Sequence, residues 1–422
     1  MSNRSIAVLL MVSYAFYWGV AGKYIAFLIF ITLFTWYCGR QICLKPKNKK
    51  IFLFIGIAGT IGQLALFKFG GFVHAIPLGL SYYSLASITY IFDLYRNRSG
   101  MISSFLNYAL FVSFFPLIIS GPIARAREFL PQLESLAQRH EDLRYGMTLI
   151  AIGLIKKLAI ADSIGSRINP IFLGPQSYDS AAIILAVIAF GIQLYLDFSG
   201  YSDIAIGSSR ILGIKIPQNF NSPYLSSSPS DFWHRWNISL STFLRDFLYI
   251  PLGGNRKGNT RTHLNLFITM ILCGLWHGAT WNFIIWGAYH GGLLAAQRII
   301  GDVLGERLTG RIWTSIKVLI TQYLIFLGWI FFRVSDMNNL IYCIENFIFI
   351  DISSIIQSDK AHLFAAAILI ILLCRDRVLA VDWAKLISSS KLRYWLIFLV
   401  VAILIVIIIA PSTYPTFIYQ AF

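Results

Sequence analysis

The sequence predicts an all-α polytopic membrane protein: a bundle of about 11 transmembrane helices, with re-entrant and amphipathic helices between them. Three observations carry this. Of 422 residues, 57% are hydrophobic and 13% charged, whereas soluble domains run near about 45–50% apolar with about 25% charged. The mean hydropathy of +0.67 is spread along the chain. It resolves into apolar segments at roughly 6–22, 24–38, 51–67, 75–95, 105–121, 145–160, 181–198, 264–276, 281–299, 313–332, 362–374 and 395–410. Finally, the 35 lysines and arginines gather in the short stretches between those segments. A net charge of +16 distributed in this way describes cytoplasmic loops and argues against a nucleic-acid partner.

Taken in order, Arg4 precedes an apolar run with no small-residue cleavage site, which describes a retained first helix and not a removed signal peptide. "KPKNKK" (45–50) puts the loop after the second segment in the cytoplasm, and with it the N-terminus. "YRNRSG" (95–100), "GGNRKGNTRTH" (253–263) and "RIIGDVLGERLTGR" (298–311) fall on the same side. The apolar stretch 338–350 is short enough to be re-entrant or interfacial. "KLRYW" (391–395) then lies inside, and the last helix carries the C-terminus outside. Several segments are shorter than the ~20 residues an upright span needs, so tilted or broken helices lining a cavity are expected. The polar insert 122–144 and the region 199–250 interrupt the pattern. Within the latter, "SSSPSDFWHRWNISLSTFLRDFLYI" reads as one amphipathic helix, capped by Ser228 with Pro229 at its first position and Asp231 completing a capping box. Trp233, Trp236, Leu240, Phe243, Phe247 and Leu248 recur along it at helical spacing. No internal repeat or separate soluble region is visible, so residues 1–422 are taken as one membrane-embedded domain, its chemistry concentrated at about 197–292.

The seven histidines and five cysteines form neither HExxH nor paired-cysteine spacing, so neither a metal site nor a disulfide framework is expected. His277, in "LWHGATWN" (275–282), is expensive in so apolar a stretch. Gly278 and Ala279 beside it let a substrate or another backbone approach. An ionisable group at membrane depth marks a functional site; a neutral imidazole bridging two helices is the alternative. His290 is thirteen residues on, which on one continuous helix is roughly 20 Å away and on another face. His234 and Asn237, three apart, lie on one face of the expected amphipathic helix, with Arg235, Arg245 and Asp246 giving it a charged side. Asp197 and Asp203, in "DFSGYSDIAIG", close an apolar segment and can pair with an arginine or cap a helix. "GGNRKG" lacks phosphate-loop spacing, and no GxSxG elbow occurs. The chain thus has few nucleophile candidates and one clear base candidate.

"DFSGYSDIAIGSSRILGIKIPQNFNSPYLSSSPSDFWHRWNISLSTFLRDFLYIPLGGNRKG" followed by "LWHGATWNFIIWGAYHG" closely resembles the membrane-bound O-acyltransferase family. With "IPLGLSYYSLASITYIFDLYR" (76–96) and "FFPLIISGPIARAREF" (114–129), it is most similar to the bacterial cell-envelope branch, which includes the membrane proteins of alginate and peptidoglycan O-acetylation. The resemblance runs from about residue 14 to the C-terminus, and set against the branch it leads to the expectation of one leading helix fewer. It implies that His277 is the catalytic base. Where the branch usually has a second histidine ("RRWHISLS"), this chain has Asn237, which cannot act as a base and is expected to orient a group; His234 precedes it by one turn. The ending "FIYQAF" (417–422) resembles an F-x-Y-x-x-F motif that implies an acyl relay through Tyr419, with an aromatic interface anchor as the alternative. A phenol of pKa about 10 deprotonates far more easily than a sugar hydroxyl.

The resemblance further implies acetyl-CoA as co-substrate, no resident cofactor, and a site in the bacterial cytoplasmic (inner) membrane, surrounded by lipid. Arg245, Arg256 and Lys257 are the expected contacts to the anionic donor. Asn237 or Trp276 is expected to donate to the developing oxyanion, and a periplasmic SGNH-type O-acetyltransferase to place the acetyl group on an envelope polysaccharide. Three alternatives stay open at this level: transfer of D-alanine to teichoic acid, a transporter or flippase of a polysaccharide precursor, and a scaffold in which His277 is structural.

Overall fold

The computed structural model describes residues 3–70, 76–96, 104–134, 140–304, 310–349, 351, 353 and 382–411. No strand occurs among them. Five helical stretches are long and apolar enough to cross a membrane: Asn3–Leu44, Pro46–Phe69, Ser180–Ile211, Ile312–Arg333 and Leu392–Ile409. The segment expected at 362–374 lies outside the described residues, as does the C-terminal motif. The chain divides into two compact units.

The first unit comprises Met1–Ala151 and Tyr201–Gln218. Its helices are α1 (Asn3–Ala21), α2 (Ile25–Leu44), α3 (Lys49–Phe69), α4 (Leu80–Tyr95), α5 (Phe105–Ser113), α6 (Ala126–Phe129) and most of α7 (His140–Leu154). Gly22, in the left-handed region at φ +53°, marks the bend between α1 and α2. Gly79 opens α4 at φ +74°, where an added Cβ would come within 2.0 Å of the Ile118 carbonyl oxygen. The core is aromatic: Tyr90 and Tyr108 stack at 3.8 Å, and the Tyr17 hydroxyl donates to the Leu78 carbonyl at 2.8 Å. The apolar segment at 105–121 is not one continuous helix. Helix α5 ends at Ser113 and the chain turns through 115–120, because Pro116 disfavours helix at Phe115 and cannot donate within one. The polar insert buries Ala126, Phe129 and Leu133 rather than standing away from the core.

The second unit comprises Ile152–Gly200 and Asn219–Phe422. Here α7 passes through a π-helical turn (Ile155–Ala161) into α8 (Asp162–Leu173). Helix α9 (Ser180–Ile211) begins in this unit and ends in the first. Expected to end near residue 198, it runs straight through "DFSGYSDIAIG". The glycines there serve close packing and not termination. A Cβ at Gly200 would meet the Gly153 carbonyl oxygen at 2.8 Å, and one at Gly207 that of Gly146 at 2.5 Å. The helix stops only at Gly213 (φ +81°), where Ile214 N–H donates back to the Ser209 carbonyl in a Schellman closure. Asp197 therefore lies inside a helix, and its partner is a lysine. Lys157 Nζ is 2.6 Å from Asp162 Oδ1 and 2.8 Å from Asp197 Oδ1, with all three side chains largely buried.

The rest of this unit holds α10 (Pro229–Arg235), α11 (Ile238–Leu244), a π-helical turn (Arg245–Tyr249), α12 (Asn259–His277), α13 (Trp281–Leu304), α14 (Arg311–Arg333), α15 (Met337–Ile348), α16 (Trp383–Ser388) and α17 (Leu392–Ile409). At 12 residues α15 is about 18 Å long, too short to span. Beyond its first turn, helix α17 is apolar all round and leaves Ile403, Ile407 and Ile408 exposed, as a lipid-facing helix does. The tightest pair is α12 with α13, joined by the turn at 278–280. Glycines make that closeness feasible: a Cβ at Gly274 would meet the Phe283 carbonyl oxygen at 2.2 Å, and one at Gly287 that of Met270 at 2.4 Å.

Candidate active site

The site is assembled wholly from the second unit. Helix α12 ends on His277, which is 4% exposed. Gly278 then runs extended, and a Cβ there would strike the Phe283 ring at 2.4 Å, so the reversal needs a glycine. The imidazole is enclosed by rings: Trp276 at 4.8 Å, Phe332 at 5.1 Å, Trp286 at 5.2 Å and Phe283 at 6.3 Å between centroids.

His290 is not 20 Å away. The turn folds α13 back along α12, and His290 reaches the same indole as His277, 4.9 Å from Trp286. It is fully buried, with Trp233 at 5.2 Å and Tyr289 at 5.5 Å. The signal was present in "GATW", a break in the helical run that a reading of one continuous helix passes over.

The amphipathic stretch is two helices, not one. The expected cap is present: Ser228 Oγ accepts from Asp231 N–H at 3.1 Å, and Asp231 accepts from Ser227 N–H at 3.1 Å and from Arg235 Nε at 2.7 Å. Helix α10 stops after Arg235, with Trp236 extended and Asn237 left-handed at φ 42°, ψ 55°. His234 and Asn237 consequently do not share a helical face: His234 is exposed, while Asn237 is 2% exposed. Asn219, unremarked in the sequence, fixes the start of α11. Its carbonyl accepts from Ile238 N–H at 2.9 Å and its side chain from Ser239 N–H at 3.2 Å.

A cavity of about 390 Å³ opens between α10, α11, α12 and α13. His234, Arg245, Tyr249 and Arg298 give its lining polarity, and Trp233, Leu266 and Met270 give it apolar wall. Arg298 was missed by sequence reasoning because it lies on α13, more than fifty residues from Arg245. Ser230 N–H donates to Gln297 Oε1 at 2.8 Å, tying α10 to α13 at the cavity rim. Arg256 and Lys257 stand exposed on the turn at 251–257 and do not line the cavity. That turn is held to α12 by Asn265 Nδ2 donating to the Gly254 carbonyl at 2.9 Å. His277 follows Met270 by seven residues, so it lies on nearly the same face of α12 roughly 10 Å further along. Between cavity and histidine stand two indoles: Trp233, which lines the cavity, packs on Trp286 at 5.8 Å, and Trp286 packs on His277. Asn237 joins this region through its neighbour, Trp236 packing at 4.9 Å on Trp329, which in turn packs at 5.8 Å on Phe332. Tyr419 lies outside the described residues. Among the described residues no group of three or more His, Cys, Asp or Glu is placed to hold a metal ion. Chemically, the arrangement offers a cation-rimmed cavity leading toward a buried imidazole.

The family model described as MBOAT, membrane-bound O-acyltransferase family, matches residues 94–335, a stretch that contains all of this machinery. A Pseudomonas aeruginosa protein named as a probable alginate O-acetylase, AlgI, is 35% identical over 354 residues, covering 78% of this chain and 67% of its own. A peptidoglycan O-acetyltransferase of Helicobacter pylori is 34% identical over 371 residues, covering 77% and 70%. A teichoic acid D-alanyltransferase of Bacillus subtilis is 30% identical over 320 residues, covering 68% and 79%. A helical fold with several membrane-crossing stretches and a family match across the whole candidate site lead to one assignment: the chain belongs to the membrane-bound O-acyltransferase family and is a multi-pass membrane O-acyltransferase.

Proposed function

We propose that the protein takes acetyl from acetyl-CoA on the cytoplasmic face of a bacterial inner membrane and passes it across for O-acetylation of an envelope polysaccharide. The observation that carries this reading is the alignment of a cation-rimmed cavity with a buried histidine two turns further along the same helix. Arg245 and Arg298 attract the anionic nucleotide end of the donor, with Arg256 and Lys257 on the exposed turn adding to the local positive field. The pantetheine arm follows the cavity past His234 toward the indoles. His277 takes the proton from an acceptor hydroxyl as its oxygen attacks the thioester. General-base action of this kind contributes roughly 10²–10⁴-fold. Trp276 holds the imidazole plane, and Asn237 acts as a positioner by maintaining the α10–α11 break that aims Trp233 and Trp236.

Tyr419 is the proposed first acceptor, from which a periplasmic SGNH-type partner moves acetyl to the polymer. An N-terminus inside and a C-terminus outside fit that order. The alginate and peptidoglycan O-acetylating relatives support the acetyl reading. The Bacillus subtilis relative supports a second, in which the donor is a carrier-borne D-alanyl group. Release of free thiol from acetyl-CoA by the purified protein favours the first. His277→Ala should lower polysaccharide O-acetylation by roughly 10²-fold or more while the protein stays in the membrane at its normal level. Normal acetylation in that variant removes His277 from the chemistry. Acetyl on the peptide containing Tyr419, sought by mass spectrometry in cells lacking the downstream transferase, tests the relay.

A further inference from the structure

Three buried side chains form a closed triad between the cavity and His277. Trp233, Trp286 and His290 lie 5.8, 4.9 and 5.2 Å apart by ring centroids, at 9%, 1% and 0% exposure. Neither indole nitrogen, and neither ring nitrogen of His290, has a hydrogen-bond partner among the described residues. Buried polar groups are normally satisfied, and a cluster of unsatisfied ones needs an explanation. Room is kept for this cluster: a Cβ at Gly328 on α14 would come within 2.8 Å of His290 Nε2. The triad also lies between the proposed donor cavity and the proposed base. Trp233 lines the donor cavity and Trp286 touches His277, so a thioester reaching His277 brings its carbonyl to these donors.

We propose that Trp233, Trp286 and His290 form the subsite that receives the acyl carbonyl oxygen of the thioester. This inference rests on the donor reading. In the step it serves, the acceptor hydroxyl oxygen bonds to the carbonyl carbon while His277 removes the hydroxyl proton. The π pair of the C=O bond moves onto oxygen, where the indole N–H groups hold it. That pair then returns, the C–S bond breaks, and the departing thiolate takes the proton from His277, leaving an ester and a free thiol. Donors that meet charge only as it develops are the effective kind for catalysis.

The test uses the purified full-length protein and two CoA thioethers of matched length: S-acetonyl-CoA, which keeps a carbonyl, and S-propyl-CoA, which lacks one. The intact protein should bind the acetonyl form more tightly. Trp233→Phe and Trp286→Phe should each shrink that preference by about threefold to tenfold, the worth of one neutral hydrogen bond. The preference is read as the ratio of the two affinities, and an unchanged unfolding midpoint in detergent shows that each variant is folded. An undiminished preference in both variants overturns the subsite while leaving the donor reading intact. Equal binding of the two thioethers by the intact protein overturns it as well. Binding of neither overturns the donor reading and the subsite with it.

Discussion

At the scale of the residue, position 237 is selected by its backbone. At φ 42° and ψ 55° it is left-handed, a conformation costing most L-residues roughly 1–2 kcal/mol. Asparagine and histidine are both enriched there. The alternation between the histidine usual in the resembling branch and the asparagine here thus has a physical basis that proton chemistry alone does not supply. Asn237→Val should lower stability by about 1–2 kcal/mol in thermal unfolding in detergent, whereas Asn237→Gly and Asn237→His should cost clearly less. Equal losses for valine and glycine would mean that side-chain contacts, not φ, dominate. The sequence made the depth of His277 legible, because a histidine inside an apolar run has few places to be. It did not make the left-handed backbone at Asn237 legible, because one asparagine leaves helical periodicity intact and φ leaves no mark on hydrophobic spacing. Nor did it reveal His290, whose nearness to His277 depends on a three-residue turn.

At the scale of the element, glycine was the ambiguous letter. In α9 and in the α12–α13 pair it permits backbones to touch, while at Gly79 and Gly213 it bends the chain, and spacing alone does not separate the two uses. Pro116 breaks the pattern outright: α5 ends early ahead of it, and a fluent apolar run becomes a short helix and a turn. The π-helical turn at Ile155–Ala161 carries Lys157 into a pocket with two carboxylates, Asp162 and Asp197. Removing one member of a buried ion cluster strands the others, at about 3–5 kcal/mol. Lys157→Met should therefore cost this much in a detergent unfolding series. It should cost more than Lys157→Arg, which keeps the charge. A Lys157→Met protein of normal stability would show that the carboxylates take up protons without penalty when the lysine is lost.

At the scale of the whole molecule, membrane class was legible from composition, and the basic loops suggested an orientation. Single cysteines replacing Asn48 and Asn255 should both react with a membrane-impermeant maleimide only after the cytoplasmic face is opened. Labelling of one from outside in intact cells would invert the assignment for that loop. The assembled site was less legible. Its cavity draws on α10, α11, α12 and α13, with lining residues as far apart as Ser230 and Arg298, and a hydropathy profile reports the depth of each helix but not which of its faces meets a neighbour. Motif order located the region, whereas the partnership of Arg245 with Arg298 and the indole wall between cavity and histidine required coordinates.

His277 is also the last residue of α12. The peptide dipoles of that nineteen-residue helix sum to partial negative charge at its C-terminal end. In the proposed reaction, that is where a positive charge appears and disappears within one turnover, as the imidazole becomes imidazolium and returns. A helix end favours such a cation by about 0.3–1 kcal/mol at an exposed site and up to ~2 kcal/mol when partly buried. The backbone of α12 then acts as a counter-ion that needs no acidic side chain at membrane depth.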